Sequence, residues 1–156
     1  MKTGSAILMG CGLALACLLV LGLAVGGFVF YAAQDPKGMR ISVHGADTVR
    51  TNELLELVVE VVNERAGNTL NVSSIDIGEE YLEGFMVVST EPPHRSSTHV
   101  PIDNSRSYDF DRVVPSGATN VFKFKLRARK AGTFQGDVDV CEGMRYLTMV
   151  VETKVE

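Results

Sequence analysis

Two hydrophobic patterns divide the chain. Over residues 7–33 apolar side chains follow one another almost without interruption, and no charge occurs between Thr3 and Gln34. A run of that length exceeds the roughly 20 helical residues that cross the ~30 Å hydrocarbon core of a bilayer. It predicts one transmembrane helix over 7–33, within an N-terminal anchor of residues 1–34. Residues 35–38 then form a linker whose Asp35-Pro36 stops a helix. Beyond it the pattern alternates. In ELLELVVEVVN, Leu55, Leu57, Val59 and Val61 share one face while Glu56 and Glu60 share the other; in VFKFKLRARK, Phe122, Phe124, Leu126 and Ala128 oppose Lys123, Lys125, Arg127 and Arg129. A period of two is that of half-buried strands.

Further alternating or β-branched stretches predict strands over 39–44, 70–77, 85–89, 105–112, 134–141 and 144–153. Turn signals separate them at 65–68, 115–117, 131–133 and 142–143. Residues 78–84, GEEYLEG, are the one place for a helical turn, with Gly84 as its stop. Residues 91–104, EPPHRSSTHVPIDN, read as a surface loop. Strands at this spacing predict one all-β domain over 39–156, an antiparallel sandwich of about seven to eight strands.

The apolar head has two competing readings. A cleaved signal peptide has an h-region of about 7 to 15 residues and a small-residue cleavage site. The head is longer, and a cut after Ala24 leaves an apolar stub. A lipoprotein places its modified cysteine after the apolar stretch, whereas residues 18–30 continue beyond Cys11 and Cys17; small apolar helix fillers describe these thiols better. An uncleaved anchor is therefore expected. Gly22 and Gly26 stand in a G-x-x-x-G spacing that brings helix backbones close in lipid, which makes them candidates for helix packing. Lys2 with the α-amine nearly balances Lys37 and Arg40 across the bilayer. The very short N-terminal tail favours tail inside and domain outside, in the periplasm or at the cell surface.

Charge narrows the function classes. The chain has 15 Lys+Arg against 19 Asp+Glu for a net of −4, and removing Lys2, the only charge before Asp35, leaves −5 on the remainder. An acidic domain is a poor partner for nucleic acid. Lys123, Lys125, Arg127 and Arg129 nevertheless suggest a basic stripe. If a turn at 131–133 closes a hairpin, Arg127 falls opposite Asp137 and Lys125 opposite Asp139, a self-neutralised ladder.

The run YDFDRVVPSGATNVFKFKLRARKAGTFQGDVDV, residues 108–140, resembles the P-x-G, alternating-strand, A-G-x-F ending of immunoglobulin-like (Ig-like) modules from bacterial envelope and adhesion-type proteins. The resemblance implies an Ig-like sandwich that binds or scaffolds, and it brings no catalytic residues. The core tryptophan and intradomain disulfide of antibody domains are absent, since the chain has no Trp and only Cys141 lies in the domain.

Few side chains here carry chemistry. His44, His94, His99 and Cys141 are the domain's soft ligands, with Met144 nearby. Blue-copper sites on sandwiches use two His, one Cys and a weak Met. The second His usually lies between the Cys and the Met, and Cys141-Glu142-Gly143-Met144 has none. Glu79, Glu80 and Glu83, and Asp103, Asp109 and Asp111, form no calcium loop of the EF-hand type. A nucleophile elbow, an H-E-x-x-H helix, a phosphate loop and a C-x-x-C pair are likewise absent. The expectation is a non-enzyme without metal or cofactor: a membrane-anchored Ig-like module that contacts the bilayer through its helix and a protein partner through its domain. His94, Arg95 and His99 are the candidate interaction loop. The alternative is a tethered metal-binding or redox accessory domain.

Overall fold

The alternation in ELLELVVEVVN becomes strand β3 (Leu54–Asn63), whose Leu55, Leu57, Val59 and Val61 are buried. That in VFKFKLRA becomes β8 (Thr119–Ala128), with Phe122, Phe124, Leu126 and Ala128 buried. These two strands are the centre of a four-stranded antiparallel sheet in a computed structural model of the chain. Its edges are β1 (Met39–His44) and β5 (Phe85–Glu91), giving the order β1-β3-β8-β5. A second sheet of six strands runs β2-β10-β9-β4-β7-β6. Its members are β2 (Thr48–Val49), β4 (Leu70–Gly78), β6 (Ser96–Val100), β7 (Ser105–Val114), β9 (Gly132–Glu142) and β10 (Arg145–Val155). All pairings are antiparallel except that of β2 with β10.

The structure describes residues 3–32 and 34–156, with side chains from residue 17 onward. The chain divides into two units after Gln34. The first is a helix, α1 (Thr3–Ala32). Among the described residues no helix is long and apolar enough to cross a membrane. The expected span over 7–33, with Cys11 in it, falls partly outside the residues with described side chains.

The second unit is a β-sandwich with an Ig-like order. The arrangement β1-β3-β8-β5 corresponds to strands A-B-E-D of that architecture and β10-β9-β4 to G-F-C, with β7 and β6 in the places of C′ and C″. The chain visits the D position before the C″ and C′ positions, so connections differ although the layers agree. Inner faces meet through aromatic contacts. Phe110 on β7 stands edge-on to Phe122, with ring centroids 4.9 Å apart, and to Phe124 at 5.9 Å, while Tyr108 meets Phe124 at 5.3 Å. Fully burying a side chain of this kind stabilises by about 1.5–3 kcal/mol.

A helical turn, α2 (Glu79–Leu82), follows β4 and ends before Gly84. It lies against β9 so closely that a Cβ on Gly136 would stand 2.8 Å from Tyr81 Cβ and 3.1 Å from its backbone N. The Tyr81 hydroxyl is buried against Thr153 Oγ1 at 3.0 Å. At the other end of the sandwich, fully buried Asn63 donates to the carbonyls of Asn68 (2.8 Å) and Val114 (2.9 Å) and accepts from Arg65 N–H (3.0 Å). One side chain thus ties two loops together.

Three expectations are corrected. The sandwich has ten strands instead of seven or eight. One of the extra strands, β6, lies in the stretch read as a loop; all its residues are at least partly exposed, so no apolar alternation marks it. The salt ladder between Lys125–Arg127 and Asp137–Asp139 does not form. β8 already has β3 on one side and β5 on the other, which leaves no edge for β9. Lys125 stands opposite Glu56 and Ser89, and Arg127 opposite Leu54 and Met86. Asp139 stands opposite Thr148 and Asp76 in the other sheet.

Candidate functional site

The sandwich is open at one edge. There β5 has β8 on one side and no strand on the other, and across the gap lie β6 and β7. Between them is a cleft of about 340 Å³. Phe85, Met86, Val87 and Val88 of β5 form one wall; Ser97 of β6 with Arg106 and Tyr108 of β7 form the other; Glu79, Leu82, His94 and Arg129 close the ends. Strand alternation puts Arg106 and Tyr108 on the inner face of β7, and the β6–β7 register sets Ser97 beside Tyr108 and His99 beside Arg106. Met86 and Val88 are each 46% exposed, large apolar side chains at an unpaired edge. The β5 ladder shifts register between Val87 and Ser89, a bulge of the kind that bends an edge strand.

The electrostatics are those of a cation-rich rim. Glu79 Oε1 accepts from Arg106 and from His99 Nδ1, both at 3.2 Å. Arg129 donates its backbone N–H to Gly84 O at 2.8 Å, and its side chain has no partner among the described residues. Burial pushes the Tyr108 phenol up to about 12, so at neutral pH it is an uncharged group.

The candidate loop residues separate in three directions. His94 lines the cleft: its ring stands edge-on to Tyr108 at 5.3 Å, and Nδ1 lies 2.9 Å from Thr90 Oγ1. His99 reaches the cleft wall only through Glu79. Arg95 is engaged elsewhere, with Asp111 Oδ2 at 2.7 Å, while Asn71 also donates to Asp111 at 2.9 Å. The Asn71 hydrogen bond first, and then the Arg95 charge, hold the Asp111 carboxyl below its ordinary value. Sequence reasoning missed Met86, Val88, Arg106, Tyr108 and Arg129, which three separate segments bring together. Gly22 and Gly26 lie on α1, with nothing within 4 Å of a Cβ built on either.

The soft ligands do not converge. Cys141 is a buried thiol on the outer side of β9, 3.6 Å from Asp76 Oδ2. Burial, then the Asp76 charge, pushes it up to about 12, which makes it a poor nucleophile. His44 ends β1, and Met144 is exposed in the β9–β10 turn. Among the described residues no three His, Cys, Asp or Glu side chains are grouped so as to hold a metal ion. On the same outer face Asp76 and Asp139 are direct cross-strand neighbours, held by Ser107 (2.6 Å) and Thr148 (2.5 Å) respectively.

No protein-family model matches the chain, and no curated protein matches it in sequence. Solved structures do resemble it. The cupredoxin domain of amoB from Nitrosocaldus yellowstonii superposes with a TM-score of 0.51 at 13% identity, over 78% of this chain and 89% of that one. The CARDB domain of the PF1109 protein from Pyrococcus furiosus gives 0.43 at 14% identity, over 76% and 87%. At such identities the likeness is one of fold. The globular unit of this chain is an Ig-like β-sandwich.

Proposed function

We propose that the chain is a single-pass membrane protein that holds its Ig-like sandwich outside the cytoplasm, where the domain serves as a partner-binding accessory module of a membrane or envelope assembly and not as an enzyme. The observation that carries this reading is the uncharged apolar run between Thr3 and Gln34, helical from Thr3 to Ala32 and joined by a few residues to the sandwich. Inserting an uncharged apolar run of that sequence length in lipid is strongly favourable, and no charge within it opposes insertion. The open edge with its exposed apolar and cationic side chains supports binding over catalysis. No nucleophile with a neighbouring base and a third orienting group is assembled there. A tethered redox domain remains the weaker reading, because Cys141, His94 and His99 sit on different faces and loops.

Membrane retention after an alkaline wash, followed by intact mass of the extracted protein, tests this reading. Full-length mass in the pellet is expected. A mature N-terminus near Val25 or Gln34, a lipidated cysteine, or release into the wash would overturn it.

A further inference from the structure

The open edge has the features of a binding site for one kind of ligand. We infer that the cleft between β5 and β6–β7 docks an extended acidic peptide segment of a partner protein, which adds as a strand along the free side of β5 and places a carboxylate on Arg129. The inference rests on the partner-binding reading above and names the partner's chemistry.

Three observations carry it. First, β5 presents one unpaired backbone edge, and the donors and acceptors of an edge strand are satisfied only by water or by another strand. The stretch before the bulge, Phe85 to Val87, keeps a regular register with β8 and is the part able to template a short strand. Second, a strand in that place has alternate side chains turned into the cleft, toward Tyr108 and His94, while its other side chains lie on the outer face beside exposed Met86. Third, the charge is unbalanced. Glu79 is committed to Arg106 and His99, and Arg129 has no side-chain counter-ion among the described residues. On the outer face beside β5, Lys123 and Lys125 of β8 stand opposite Glu91 and Glu56, whereas Arg127 has no acidic residue across from it, so the cation excess lies at the Arg129 end of β5 and favours an acidic side chain of the incoming strand there.

The test uses the full chain in detergent micelles or nanodiscs and capped heptapeptides of alternating Val and Glu. Amide hydrogen exchange should slow at residues 85–87 on saturation. A Val/Lys peptide, and a Val/Glu peptide N-methylated on alternate backbone nitrogens, should each bind at least tenfold more weakly. Arg129→Glu should weaken the Val/Glu peptide at least tenfold and narrow or reverse the preference over Val/Lys. Arg129 is exposed, so this variant is expected to fold. Unchanged affinity in Arg129→Glu, indifference to N-methylation, equal binding of capped glutamate alone, or protection confined to other strands would each overturn the inference. A chain that stays in the membrane but binds no such peptide sinks this inference and leaves the anchored reading standing; a chain that binds the peptide but washes off the membrane does the reverse.

Discussion

Arg65 and Glu142 form a two-pronged ion pair, with the guanidinium Nη1 and Nη2 each 2.6 Å from one carboxylate oxygen, at the end of the sandwich where the linker enters. The same guanidinium donates through Nε to the Lys37 carbonyl at 2.8 Å, and Arg145 adds a second cation to Glu142 at 2.8 Å. The pair is largely shielded, with side-chain exposures of 20% and 16%, so its hydrogen bonds are stronger than those of a free surface pair.

Its pH dependence has a definite sign. The Arg65 hydrogen bonds hold the Glu142 carboxyl below its ordinary value. A depressed carboxyl pKa contributes stability that is fully present above the unfolded value, near 4.5, and is lost as pH falls through the folded one. Glu142→Gln should therefore cost about 2 kcal/mol at pH 7 and progressively less below about pH 4, as read from denaturant midpoints across pH. A pH-independent loss would mean the pair acts by packing alone.

Asp139 predicts the opposite sign. Burial, with the charges of Asp137 and Asp76 adding to it, raises its pKa against the opposing Thr148 hydrogen bond. The raised value makes the folded state bind protons more tightly, so stability is highest below the unfolded pKa and falls as pH rises through the folded one. Asp139→Asn removes the like charge facing Asp76 and keeps an oxygen for Thr148. Stabilisation of about 0.2–1 kcal/mol at pH 7 is expected in thermal melts, shrinking as the solution is acidified.

Gly136 faces α2 at a separation that a methyl group does not fit. Gly136→Ala should destabilise by about 1–3 kcal/mol, since the obstruction is Tyr81 backbone and Cβ rather than a movable side-chain tip. Gly67→Ala probes a different effect. It has φ +74° and open space around it, so it should cost only about 1 kcal/mol of backbone strain. Equal losses in both would show that α2 yields.

Strand alternation read the core well because it reports which face of a strand is buried. Leu57, Phe122, Phe124 and Val140 all stand where parity puts them. The same parity is blind to partnership: Lys125 and Asp139 share odd positions on successive strands, which suits neighbours in one sheet and members of facing sheets equally. The extra strands β2 and β6 left no apolar trace because β2 has two residues and β6 is a solvated edge. α2 was legible through Gly84, a stop that close approach to Phe134 also demands. The cleft was not legible. Met86, Arg106, Tyr108 and Arg129 come from separate strands and a connecting segment, and no spacing in the chain relates them.

The topology of the sandwich domain tests the central claim most directly. A single cysteine introduced by Glu80→Cys, at an exposed position in α2 far in sequence from α1, gives a reactive handle, whereas the native Cys141 thiol is buried and pushed up to about 12. Labelling of intact cells with a membrane-impermeant maleimide should modify this variant fully, with the parent chain as the background control, and the label should stay with the membrane pellet after an alkaline wash. Labelling only after the cytoplasmic membrane is permeabilised, or label recovered in the wash, would contradict an anchored domain displayed outside the cytoplasm.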